Sequence, residues 1–226
     1  MSRKKMKNLQ FAVIGLGIFG AEMVKTLANK GCEVLAIDAD PARIDEVVDY
    51  ATHCVNADAT DERVLEQIGI SSFDNVIIGI GTNIQASIMC TLLCRELGAR
   101  NITAKAINSS HAAILQKLGV DRVIVPEADS AAKAAALIAY PQMNDMVQLK
   151  DDLSIVEIDT PASWDGKTLA ELRIREKYGV TVIFLLSDEG NVTPLGSTVC
   201  RAGGSVVLGG PMDNLETLMS RLGTRD

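Results

Sequence analysis

No unbroken apolar run in the 226 residues approaches the roughly 18 needed to cross a bilayer, so any membrane role requires a partner that does. Basic charge is also scarce. The formal net charge of −7 argues against a nucleic-acid binder, which would carry a basic patch or stripe. The opening MSRKKMKNLQ is basic but runs straight into a strand with no apolar signal region, so no secretion signal is expected. Cys32, Cys54, Cys90, Cys94 and Cys200 show neither zinc-type nor redox CxxC spacing, and read as small core residues in a reducing, cytosolic compartment. Catalytic sets are missing too. None of Tyr50, Tyr140 and Tyr178 has a lysine four residues later, which removes the Tyr/Lys pair of short-chain reductases. His53 and His111, the two histidines, stand in contexts that favour structural or surface roles over general-base work. With no Ser/His/Asp set and no metal-ligand cluster, the chain is not expected to be an enzyme.

What is present is a hydrophobic content of 47% arranged in alternating periods. Short apolar runs (FAVIGL, EVLAID, HCVNAD, NVIIGIG, NITAKAI, RVIVP) are separated by helix-period segments, the last of them the Ala-rich ADSAAKAAALIAY. Six strands alternating with helices predict an α/β fold, a Rossmann-like doubly wound parallel sheet ordered 3-2-1-4-5-6. The regime changes near Pro141. PQMNDMVQLKDD reads as a polar connector, followed by SIVEID, a short helix KTLAELRIREKYG, VTVIFLLSDEG, GSVVLGG and a closing helix. The expected organisation is therefore a nucleotide-binding domain over residues 1–140 and a small α+β C-terminal lobe over 141–226.

Between the first strand and first helix, Gly15, Gly17 and Gly20 form G-x-G-x-x-G around Ile18 and Phe19. The first glycine permits the tight turn, the second lets a phosphate approach the backbone, and the third allows helix–strand packing. The helix N-terminus then offers free N–H groups and partial positive charge to phosphates. The next strand ends in Asp38, close to the offset of about twenty residues at which a carboxylate accepts from ribose hydroxyls. Such a carboxylate would repel a 2′-phosphate, so NADP is not expected. Asp40, just before Pro41, reads as a helix cap. In the turn NADAT, Asp58, Ala59 and Thr60 face the adenine side, where Asp58 and Thr60 either bond its edge or cap the helix beginning at Asp61. Gly79, Gly81 and Asn83 in GIGTN would line the crevice at the topological switch point. Lys105 lies near the end of the fifth strand, where a cation can meet phosphates; an inward lysine there is costly unless paired.

FAVIGLGIFG, YATHCVNADAT, NVIIGIGTNIQAS, LQKLGVDRVIVPEAD and KYGVTVIF together make the chain resemble the RCK regulatory subunits of bacterial potassium uptake systems, the KtrA type and its TrkA relatives. The likeness runs from residue 11 to about residue 186, with a weaker tail in GGSVVLGGPMDNL. It implies binding of ATP or ADP, or of NAD(H) in the TrkA branch. It also implies homodimers assembling as an octameric ring on an integral-membrane potassium-translocating subunit, with the chain peripheral to the cytoplasmic face of the membrane. By the same resemblance Glu127 matches a residue that helps bind a divalent or monovalent cation near the phosphates; by spacing alone it reads as a solvated loop carboxylate or a first-turn charge. Many KtrA-type chains carry Arg after the second glycine, reaching the terminal phosphate, whereas this chain has Ile18, which offers no charge-assisted bond. NAD(H) therefore gains credit as the ligand. In some relatives the C-terminal lobe binds cyclic di-AMP, and Arg175 and Pro194 match that site; the other reading of Arg175 is a solvent-facing residue on an amphipathic helix. Competing functions are an NAD-dependent oxidoreductase or redox sensor, and a binding module for another transporter or cation channel.

Overall fold

A computed structural model of the chain describes residues 9–149, 152–187 and 190–222. The first unit ends at Ala128 and the second begins at Asp129. The first carries strands β1 (Gln10–Ile14), β2 (Glu33–Asp38), β3 (His53–Asn56), β4 (Asn75–Ile78), β5 (Ile102–Lys105) and β6 (Arg122–Ile124). They form one parallel sheet in the order β3-β2-β1-β4-β5-β6, the order expected from the alternation of elements.

Side-chain alternation along the strands builds a core on each face. Ala12 and Ile14 of β1 join Ile37, Ile78 and Ile102 on one face, under Leu65, Cys90, Leu93 and Leu115 of helices α3 (Glu62–Ile68), α4 (Ile84–Glu96) and α5 (Ser109–Lys117). Val13, between them, joins Val34, Ala36 and Ile77 on the other, covered by Val24 of α1 (Ile18–Asn29) and Ile44 of α2 (Pro41–Asp45). Every crossover thus brings its helix to start beside the C-terminal edge of the sheet. At those starts α2, α3, α4 and α5 are capped by Asp40, Asp61, Asn83 and Asn108, whose side chains accept first-turn N–H groups. Helix α1 differs: its cap is Gly17, which has no side chain to give.

The second unit is an antiparallel five-stranded sheet ordered β10-β9-β11-β8-β7. Its strands are β7 (Met143–Gln148), β8 (Leu153–Asp159), β9 (Thr181–Ser187), β10 (Gly190–Val192) and β11 (Ser205–Pro211). Val156, Ile158, Val206 and Leu208 form its core with Trp164 and with Leu215, Leu218 and Met219 of α9 (Met212–Leu222). Three features depart from the sequence reading. The polar connector contains β7, paired with β8 through Met143↔Ile158 and Met146↔Val156; as an edge strand burying only Met143 it lacks an apolar signature. The helix expected over KTLAELRIREKYG is broken into α7 (Leu169–Leu172) and α8 (Ile174–Tyr178) by Arg173, at φ +52°. The division between units also falls inside α6 (Pro126–Ala139), not at 140/141, because Ala136, Leu137 and Tyr140 pack on the second core.

Cys32, Cys90, Cys94 and Cys200 are buried and Cys54 half-buried, with no disulfide among the described residues. A hydrogen bond with Cys94, together with burial, holds the Cys90 thiol well above its usual range, which disfavours the thiolate.

Candidate nucleotide site

The crevice at the C-terminal edge of β1 and β4 is built around one carbonyl. Gly15, at φ +86°, turns the chain out of β1, and its N–H donates to Ile37 O at 2.9 Å. A Cβ on Gly20 would stand 2.0 Å from Gly15 O, and one on Gly79 would stand 2.6 Å from the same atom. These two glycines let α1 and the loop after β4 close on the β1 turn. Gly17 is unlike them. Its Cβ would meet nothing within 4 Å, so no contact inside the protein demands glycine there. The open space faces the uncapped first turn of α1, where backbone N–H groups and the helix dipole favour an anion.

Asp38 ends β2 beside this loop and is 8% exposed. Its Oδ2 accepts from the N–H of Leu16 at 2.6 Å, and its Oδ1 from the N–H of Asp40 at 2.9 Å. Nη1 of Arg43 lies 3.5 Å from Oδ2. The carboxylate is thus locked at the mouth of the glycine loop. Asp40 caps α2 by accepting from Ala42 N–H at 3.0 Å. Arg43 was not anticipated as a site residue, although its place in the helix that Pro41 and Asp40 start, five residues after Asp38, is visible in the sequence.

The turn after β3 removes one of the two readings of Asp58 and Thr60, the helix cap. Neither caps α3, a role taken by Asp61. They bond each other instead: Asp58 Oδ1 accepts from Thr60 N–H at 2.9 Å and from its hydroxyl at 2.8 Å. Those bonds hold the Asp58 carboxyl below its ordinary pKa. Ala59 is buried against the core. Asn83 caps α4, so its side-chain oxygen is committed to Ala86 N–H at 3.0 Å.

Across the crevice Lys105 finds the partner its burial requires. Its side chain is 14% exposed, and Nζ lies 2.6 Å from Glu127 Oε1 and 5.9 Å from the centre of the Phe19 ring. A Cβ on Gly81 would lie 3.5 Å from the same Nζ. Phe19, Gly81, Lys105 and Glu127 therefore come together at one point. The ammonium of Lys105 holds the exposed Glu127 carboxyl below its usual pKa. Ile18, first in α1, is 91% exposed. Arg175, exposed on α8, and Pro194, half-buried after β10, belong to the second unit.

His53 is exposed, whereas His111 is 1% exposed with neither ring nitrogen hydrogen-bonded; burial lowers its pKa. No group of three or more His, Cys, Asp or Glu able to hold a metal occurs among the described residues, and none of their helices is long and apolar enough to cross a membrane.

Residues 11–126 match the TrkA-N domain and residues 153–223 the TrkA-C domain. The chain is 39% identical over 214 residues to Ktr system potassium uptake protein C of Bacillus subtilis (strain 168), covering 94% of this chain and 97% of that one. It is 44% identical over 179 residues to Ktr system potassium uptake protein A of the same organism, covering 79% and 81%. Among solved structures, the GsuK channel bound to NAD superposes with a TM-score of 0.67 at 19% identity, over 97% of this chain and 40% of that one, a likeness of fold alone.

Proposed function

The chain belongs to the TrkA-N/TrkA-C family that includes the Ktr potassium uptake proteins, and on that premise we propose that it is a nucleotide-binding regulatory subunit of a potassium uptake system. It would work at the cytoplasmic face of the membrane, gating an integral-membrane partner that moves the ion. The observation that carries this reading is the convergence at one sheet edge of Gly17, the uncapped start of α1, the fixed carboxylate of Asp38 and the cation of Lys105.

The chemistry of those groups suits an adenine nucleotide. The ribose hydroxyls donate to Asp38 and the phosphates take the α1 amides. The outermost phosphate approaches Lys105, which must then share its charge with Glu127. A carboxylate released from Lys105 would be free to help hold a cation near the phosphates. Nucleotide binding would thus exchange one ion pair for another, and each exchange biases a two-shape assembly only by the difference in affinity between the shapes. A tenfold difference is about 1.4 kcal/mol per site. A homodimer building an octameric ring would compound it, and Arg175 and Pro194 would offer a second ligand site for cyclic di-AMP. The likeness to potassium uptake proteins supports a regulator without turnover.

ATP and ADP are the ligands proposed first. NAD(H) is favoured by one feature, the apolar, outward Ile18, which supplies no charge to a terminal phosphate. Native mass spectrometry with ATP, ADP, NAD and NADH added separately tests both readings. An octamer holding one adenine nucleotide per chain supports a gating ring and names its ligand. A protein that binds none of the four sinks the proposal, and reduction of NAD in the presence of common hydroxy acids would replace it with an oxidoreductase.

A further inference from the structure

We propose that Arg43 is a specificity-determining residue at the ribose end of the crevice: it competes with ribose hydroxyls for Asp38 and offers its guanidinium to a 2′-phosphate. This rests on reading the crevice as an adenine-nucleotide site and deepens that reading.

The two oxygens of a carboxylate present about four acceptor positions. At Asp38 two are occupied by the Leu16 and Asp40 N–H groups, both short and fixed by the backbone. Nη1 of Arg43 stands 3.5 Å from Oδ2, the oxygen that also takes Leu16. A ribose with both hydroxyls free brings two donors to this carboxylate, so it must displace Arg43 to bond through both. The arginine is held loosely enough to move. Its contacts to Asp38 and to Asp40, 3.5 Å and 3.7 Å, are longer than the 2.7–2.9 Å or so of a charge-assisted hydrogen bond, and its side chain is 45% exposed.

A bare carboxylate repels a 2′-phosphate, which is why NADP was not expected from the sequence. Arg43, shared between Asp38 and Asp40, offsets part of that charge. A guanidinium near this point is the group that accommodates a 2′-phosphate in dinucleotide-binding folds, through its planar pair of donors. The local fold sets the placement: Pro41 opens α2, Asp40 caps it, and Arg43 follows in the first turn beside the end of β2. One side chain therefore acts in opposite directions on two ligands that differ by a single phosphate.

Isothermal titration of the full chain with NAD, NADP, ADP and ADP 2′-phosphate, repeated on Arg43→Gln and Arg43→Lys, tests this. Arg43→Gln is expected to tighten NAD and ADP and to weaken their 2′-phosphorylated counterparts, moving the affinity ratio at least tenfold. Arg43→Lys, which keeps charge but not the planar fork, is expected to fall between. Equal changes for both members of each pair would overturn the proposal, as would a wild-type protein that binds NAD or ADP with no measurable affinity for the 2′-phosphate forms. A wild-type protein binding none of the four would overturn the nucleotide reading itself, and this inference with it.

Discussion

The Nζ of Lys105 lies 2.6 Å from Glu127 Oε1, joining the end of β5 to the first turn of α6 across 22 residues of sequence. In the proposed nucleotide reading, an incoming phosphate and Glu127 compete for this lysine. Removing either partner should therefore move nucleotide affinity in opposite directions. Lys105→Met is expected to weaken ATP binding by about tenfold or more, the scale of a charge-assisted bond. Glu127→Gln, measured with chelator present, is expected to tighten it. Calorimetric titration decides, and equal weakening in both variants would remove the ion-pair exchange from the mechanism.

The glycines of the first loop should separate into structural and ligand-facing members. Gly20→Ala puts a Cβ 2.0 Å from the Gly15 carbonyl, so α1 or the β1 turn must shift, and thermal unfolding should show a clear loss of stability. Gly17→Ala meets open space at an ordinary φ of −63°, so the melting temperature should hold while nucleotide affinity falls. If Gly17→Ala binds ATP, ADP and NAD as the wild type does, the phosphates do not lie over Gly17.

Asp38→Ala should carry a double penalty. It removes a ribose acceptor and leaves the buried N–H of Leu16 without its partner, for which about 1–3 kcal/mol of stability is the usual cost. Denaturant unfolding and nucleotide titration on the same variant read the two effects separately.

Acid should weaken the first unit through His111. Its ring nitrogens are buried without hydrogen bonds, and burial lowers its pKa in the folded protein below the ordinary value near 6.5. The stabilising contribution of the neutral ring is present above that unfolded value and is lost as pH falls through it toward the lower folded value. Asp58, Asp121 and Glu127, whose pKa values are lowered by hydrogen bonds, add their own losses only below the carboxylate range near 4. Urea midpoints measured between pH 7.5 and 5 should fall, and His111→Gln should flatten the slope. A wild-type midpoint that is constant over this range would contradict the assignment.

Arg173 pays a conformational penalty at φ +52°, where a side chain is unfavourable by roughly 1–2 kcal/mol. Arg173→Gly should relieve it and raise the melting temperature of the second unit by a few degrees, because the exposed ion pair with Glu176 contributes little. A lower melting temperature would mean that the Arg173 side chain holds more than its exposure suggests.

The sheet of the first unit was legible because its strands are short, mostly apolar runs, β1 and β4 closed by Gly15 and Gly79, and because four of its helices open on Asp or Asn caps. Strand β7 was not, since an edge strand with one buried residue has no period to read. The break at Arg173 was invisible for a related reason: nothing local marks a left-handed arginine. Within the site, glycine spacing pointed to the loop, and the cost of burying Lys105 required some partner, but only folding identifies Glu127 as that partner. The turn at Asp58 was ambiguous because an Asx-type bond and a helix cap use the same residue type accepting from the N–H two residues on, as Asp58 does from Thr60 and Asp61 from Arg63. Arg43 escaped notice because its role depends on how close the start of α2 comes to the end of β2.

Gly15 O, closed in by Gly20 on one side and Gly79 on the other, leaves the floor of the crevice almost no freedom to adapt. On the proposed nucleotide reading, ligands with different ends would then be told apart at the rim, by Ile18, Arg43 and Glu127, whose side chains are exposed. A lineage built on this floor can change the molecule it senses by exchanging three surface residues, without redesigning the backbone that grips the part all such molecules share.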